Sequence, residues 1–531
     1  MAKQLQRELN NRHIQLIAIG GAIGTGLFLG SGQTISLTGP SLLFTYMLIG
    51  IVLFAFMRAL GELLLSNSKF NSFVDIANEY LGPFGGFVIG WTYWVCWIVS
   101  SMSDLTAMGQ YFAYWYPQVP HWLTVLFIVL LLISFNLLGA RLFGELEFWF
   151  SIIKVVTIIT MVIVGLVLIF LSFKTEYGHA SFGNLIHHGG MFPHWLTVLF
   201  IVLLLISFNL LGARLFGELE FWFSIIKVVT IITMVIVGLV LIFLSFKTEY
   251  GHASFGNLIH HGGMFPHGAA GFLMSFQIAV YSFIGIELIG VTAGETKNPE
   301  KTIPKAINNV PIRILLFYIG GLLVIMSVIP WFKVDPDSSP FVKLFTLIGV
   351  PFAAGIVNFV VLTAAASATN SGIYSNSRIL FGLAKQGLGP KVLTKTNSNG
   401  VPYLSMLVSS ITLLIAALLN FIFPDAIKLF IYVTTLSTVL FLVVWGMIIV
   451  SYIAYVKKNP EQHQSSAFKL WGGKIIAYIV LSFFIFIFIL LFFSKDTRVA
   501  IFISPLWFIF LFFYYKKYKN NAESLADRQR H

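Results

Sequence analysis

The chain has 531 residues, 57% apolar and only 10% charged, with 33 Lys plus Arg against 21 Asp plus Glu and a formal charge of +12. Soluble domains carry about 25% charged residues because their surface faces water, so this composition excludes a soluble enzyme. The basic residues lie between long apolar runs, not in a patch suited to nucleic acid, and the single cysteine, Cys96, allows neither an internal disulfide nor a thiolate metal centre.

A bilayer-spanning helix needs roughly 20 mostly apolar residues. Such runs are predicted near 14–35, 41–63, 86–112, 122–139, 148–172, 195–212, 221–245, 269–292, 312–331, 352–381, 403–423, 427–455, 475–494 and 499–515. These fourteen spans form one all-α polytopic membrane domain, 14–515, between short tails at 1–13 and 516–531. The first run lacks a cleavage-site pattern and reads as a retained helix. Residues 120–192 recur without a change as residues 193–265. Identity over 73 residues implies a recent tandem duplication or an error of sequence assembly, since transporter repeats diverge. One copy removed leaves twelve spans. With the N-terminus inside the cell, most of the 33 basic residues fall in cytoplasmic segments, Lys301, Lys305, Arg313, Lys385, Lys457 and Lys458 among them. Both termini are therefore expected in the cytoplasm of a plasma-membrane protein.

The first span carries Gly20, Gly21, Gly24, Gly26, Gly30 and Gly32 within thirteen residues. Each weakens a helix by about 1 kcal/mol relative to alanine. Two readings stand: close packing through small residues, or a helix unwound at Ile23, Gly24, Thr25 and Gly26 whose freed amides bind a carboxylate. The 269–292 span offers a second interruption around Ser282, Phe283, Ile284 and Gly285, where exposed carbonyls would accept from an ammonium group. Donors at one break and acceptors at the other suit a zwitterion, most simply an α-amino acid.

Ionisable residues inside spans are functional candidates, because an unpaired charge at the bilayer centre costs at least about 2.5 kcal/mol. Lys154 and its duplicate Lys227 either snorkel to the interface or sit buried, as a proton carrier or a fixed cation. Glu287 is the natural acidic counterpart, or a hydrogen-bond partner of its own broken helix. Asp104 lies at the site or near the outer interface. Glu62, Glu145 and Glu147 sit at helix ends and read as anchors. No metal site is expected at His187 and His188 or at their copies His260 and His261, and no cofactor is implied.

Several ordered stretches carry a family resemblance: Arg12–Phe28, Met57-Arg58-Ala59-Leu60-Gly61-Glu62, Phe143–Phe150, Thr292–Ile307 and Asn358–Ala368. Across nearly its whole length the chain resembles the amino-acid permeases of the amino acid–polyamine–organocation superfamily. The resemblance implies the leucine-transporter-like fold, an inverted five-plus-five repeat with two C-terminal helices, here with one surplus helix hairpin. It also implies inward symport of a small neutral amino acid with protons. Asp104, where many relatives carry glutamate, fits the subgroup that carries glycine, D-alanine and D-serine. On the family pattern Gly24, Thr25 and Gly26 match the carboxylate-binding break and Ser282, Phe283 and Ile284 the amine-binding break. Lys154 or Lys227 matches a fifth-helix lysine that replaces a sodium ion, with Ser367 as its eighth-helix neighbour. A membrane sensor or passive pore would use the same breaks without pumping, and the duplication could leave a permease inactive.

Overall fold

The computed structural model of the chain describes residues 24–67, 70, 72–137, 174–175, 178–179, 213–293, 296, 298–347, 351–396 and 401–530. Ile23, Lys154, Glu145, Glu147 and the expected spans 148–172 and 195–212 lie outside the described residues. Among the described residues, eight segments are long and apolar enough to cross a bilayer, and two shorter apolar helices, His121–Leu130 and Lys227–Phe243, accompany them.

The Phe73–Ala113 helix is the central pillar, with Pro351–Lys385 and Ala426–Lys458 packed along it. Its start is fixed by a capping box, in which the Ser72 hydroxyl accepts from the Val74 amide and Asp75 accepts from the Ser72 amide. Gly82, at φ 81°, followed by Pro83, kinks it between an entry segment and the membrane-deep part. The expected span at 86–112 is the portion beyond this kink.

The Pro351–Lys385 helix differs in kind from the apolar ones. It buries Thr363, Ser367, Thr369, Asn370, Ser375 and Asn376. A helix surrounded by protein can carry such groups at membrane depth, and Thr363, Ser367, Ser375 and the Asn376 amide nitrogen find hydrogen-bond partners there. By contrast, Gly473–Leu490 exposes Ile475, Ile479, Ile485 and Ile489, and the helix after it exposes Phe502, Leu506, Phe510 and Phe513. These apolar faces belong against lipid tails.

The repeat contributes to the bundle from both copies. His121–Leu137, from the first copy, packs on Phe73–Ala113 and on the helix pair Tyr403–Thr412 and Leu414–Ile422. Ala213–Phe243, from the second copy, packs on Pro351–Lys385 and on Gly321–Val328. Among the described residues each of these two helix positions is therefore filled once. Small ribbons in both copies keep the same register: Lys174 pairs with His179 and Lys247 with His252.

Candidate functional site

Gly24 is extended (φ −129°, ψ −161°) and the helix begins directly after it at Thr25–Phe28, running on through Leu29 into Gly30–Thr38. Gly24 is thus the extended residue at the head of this helix, while Thr25 and Gly26 already belong to the first helical turn. Leu27 and Phe28 donate to the Gly24 carbonyl, so the Thr25 and Gly26 amides precede the helix's own hydrogen bonds, as first-turn amides must.

The second interrupted helix runs Gly268–Ala279, tightens into a 3-10 turn over Val280–Phe283, and opens at Ile284 (ψ 139°) and Gly285 (φ 100°) before Leu288–Thr292. Gly285 needs its positive φ, which glycine alone adopts freely. Its amide donates to Glu287 Oε2 at 3.2 Å, so Glu287 caps the gap in its own chain. The other carboxylate oxygen accepts from the Tyr93 hydroxyl at 3.3 Å, which in turn accepts from Ser375 Oγ. Glu287 is fully buried; its partners come from the break and the pillar helix, and Tyr93 links it onward to the polar helix.

The start of the first helix and the interrupted second helix touch at Gly26. A Cβ placed there would lie 2.7 Å from Ser282 Cα and 3.0 Å from its amide nitrogen. Gly32 is equally tight, 2.7 Å from the Ser338 carbonyl oxygen. Gly26 and Gly32 therefore permit close approach, and Gly24 is extended at the head of the helix.

A cavity of about 20 Å³, room for roughly one water, lies at this junction. Gly24, Thr25 and Gly26 line it from one helix and Tyr281, Ser282 and Ile284 from the other. Trp97, Ser100 and Asp104 close it from the pillar, and Ala368 from the polar helix. Asp104 is buried and accepts a 2.6 Å hydrogen bond from Thr25 Oγ1. Tyr281 reaches across to Ser100, with the two hydroxyl oxygens 3.4 Å apart.

Ser282 is held from behind. Its carbonyl accepts from Tyr318 at 2.7 Å and its hydroxyl shares a hydrogen bond with Tyr46 at 2.9 Å. One acceptor expected to face an ammonium group is thus already engaged. Tyr318 belongs to a π-helical stretch, Ile314–Gly320, a geometry that recurs at functional positions. Phe283 turns away from the cavity and stacks on Tyr318, ring centroids 4.7 Å apart and 7° from parallel.

Lys227 is 1% exposed, so it does not snorkel, and its Nζ donates to Ser367 Oγ at 3.2 Å. Ser367 adjoins Ala368 of the cavity wall, and Lys227 lies within electrostatic reach of Asp104. The lysine thus stands one layer behind the cavity. The residues that sequence reading missed are Trp97, Ser100, Tyr281 and Ala368. The spacing of Trp97, Ser100 and Asp104 on one helix face was the available signal for two of them.

Comparison with known proteins identifies the family. The family model described as amino acid permease matches residues 13–197 and again 191–525, dividing at the junction of the two copies. The D-serine/D-alanine/glycine transporter of Escherichia coli K12 is 43% identical over 509 residues, covering 96% of this chain and 93% of that protein. The amino-acid permease AapA of Bacillus subtilis 168 is 42% identical over 514 residues, 97% of this chain and 95% of the relative. An uncharacterised transporter of the same organism, YdgF, reaches 44% over 512 residues. The chain belongs to the amino acid permease family, and is a multi-pass membrane transporter of amino acids with the leucine-transporter-like fold.

Proposed function

We propose that the protein imports small neutral amino acids, glycine, D-alanine and D-serine among them, by symport with protons across the plasma membrane, with both termini in the cytoplasm. The observation that carries this reading is the meeting of the helix start at Thr25 with the interrupted 268–292 helix at Gly26 and Ser282, beside the buried Asp104 and one layer from Lys227. The amides of Thr25 and Gly26 lie at the positive end of a helix and suit a carboxylate. Carbonyls at the Tyr281–Ile284 break and the Asp104 carboxylate suit the ammonium group. Admitting a substrate requires the walls to move, since the cavity holds only about a water. Opening the Thr25–Asp104 hydrogen bond is the local step that frees both partners for the zwitterion. Lys227 then serves as the coupling cation, reporting the state of Asp104 to Ser367 on the polar helix. Glu287, bonded to the break and to Tyr93, keeps the second helix open at the right place. The E. coli relative's name supports the substrate class.

The test is uptake of labelled D-alanine by liposomes under an inward proton gradient. Accumulation above equilibrium, abolished by a protonophore, is expected. Equilibration that ignores the gradient contradicts proton coupling.

A further inference from the structure

We propose that Trp97 sets the upper limit on the size of the transported side chain. The inference rests on the placement of the zwitterion between the two interrupted helices. With carboxylate and ammonium engaged by backbone at Gly24–Gly26 and Tyr281–Ile284, the α-carbon's substituent must turn toward the remaining walls. The polar helix offers only Ala368 there. The pillar offers Trp97, Ser100 and Asp104, spaced three and four residues apart on one face. Asp104 is taken up by the ammonium group once it leaves Thr25, and Ser100 is engaged by Tyr281. Trp97 is left as the one large apolar side chain that the pillar presents to the cavity.

Its indole has nowhere to retreat. On one side stands Gly372, where a Cβ would lie 2.8 Å from the indole Cε3. Behind it, the Tyr93 and Phe441 rings meet it edge-on with centroids 6.3 and 6.0 Å away. The ring is 2% exposed. A side chain packed on these faces holds its rotamer, because swinging it out would open voids in a close-packed interior. Trp97 is therefore the wall that stays in place while the interrupted helices move to admit a substrate. Small substituents fit in front of it, branched ones collide, and a smaller residue at 97 opens matching space. Each methylene accommodated against an apolar wall is worth about fourfold in affinity.

The experiment uses the full chain in liposomes, measuring inhibition of labelled glycine uptake by unlabelled glycine, alanine, 2-aminobutyrate, valine, leucine and phenylalanine. The quantity read is the half-inhibitory concentration of each competitor relative to glycine. In the unsubstituted protein this ratio rises steeply beyond 2-aminobutyrate. Trp97→Phe lowers the valine ratio severalfold, and Trp97→Ala lowers the leucine ratio at least about tenfold, from the methylenes gained. Should Trp97→Ala fail to assemble, Trp97→Leu reads the same ratio. For any variant that folds but does not transport, amino-acid protection against thermal unfolding supplies the rank order. Ratios unchanged in Trp97→Phe and in the smaller variant overturn the proposal, as does an unsubstituted protein that takes leucine as readily as glycine. A protein that binds none of the six amino acids overturns the placement of the site itself, which is a distinct result.

Discussion

The Nζ of Lys227 donates to Ser367 Oγ at 3.2 Å, tying the second copy of the repeat to the helix that carries Ala368 into the cavity wall. The two copies have the same sequence, so they differ in function only by where the chain puts them. Lys227→Ala should reduce gradient-driven uptake to background, while Lys154→Ala should leave it near the unsubstituted rate. Uptake by the single and double variants in the same vesicles checks this. Equal loss in both single variants, or no loss in either, contradicts the assignment.

Gly26 and Gly24 are expected to respond differently to the same change. An alanine Cβ at 26 would sit 2.7 Å from Ser282 Cα, whereas at 24 the nearest atom is Ala368 Cβ at 3.9 Å and the backbone is extended. Overpacking of this kind costs about 1–3 kcal/mol. Gly26→Ala should lower the thermal midpoint and uptake together. Gly24→Ala should keep the fold, and melting curves of the two purified variants distinguish them.

Thr25 donates to the buried Asp104 at 2.6 Å. Replacing it with the near-isosteric valine removes the donor and leaves a buried carboxyl short of a partner, at about 1–3 kcal/mol. Thr25→Val should weaken amino-acid binding and destabilise the protein, and Thr25→Ser should restore both. Binding isotherms for glycine give the answer. A serine variant as impaired as the valine one would point to the methyl group's packing instead.

Far from the cavity, Glu62 holds a second set of contacts. It is buried and accepts from Tyr452 at 2.8 Å, His463 Nδ1 at 2.6 Å and the Leu470 amide at 2.8 Å. One turn earlier, Arg58 donates to the Lys469 carbonyl at 2.7 Å and lies 3.9 Å over the Phe468 ring. Together they strap the 459–472 connection across the end of the Leu42–Ser66 helix. Glu62→Ala strands three donors and should destabilise by about 3–5 kcal/mol. Glu62→Gln, which keeps the shape and one acceptor, should cost about 1–3 kcal/mol. Thermal unfolding of the two variants in one detergent tests the order.

Composition and the length of apolar runs carried the membrane architecture, because lipid permits so few alternatives. The glycines announced that something interrupts the first span, and Gly285 beside Glu287 announced the second interruption. Which glycine serves the break and which the packing was not legible, since Gly26 answers to Ser282 more than two hundred residues away in sequence. The placement of the Phe283 ring was illegible for the same reason: it is set by stacking on Tyr318 of another helix. Trp97 was signalled only by its spacing from Ser100 and Asp104, within an apolar run already rich in aromatics. The choice between Lys154 and Lys227 was beyond any reading of identical sequences, and only the tertiary arrangement around Ser367 addresses it.

An experimental structure of the protein bound to D-alanine tests the site most directly. The carboxylate is expected within hydrogen-bonding distance of the Thr25 and Gly26 amides, with the ammonium group toward Asp104 and the Tyr281–Ile284 carbonyls. Density for the ligand elsewhere, with Gly26 still pressed against Ser282 and the cavity closed, would contradict a substrate site between the interrupted helices.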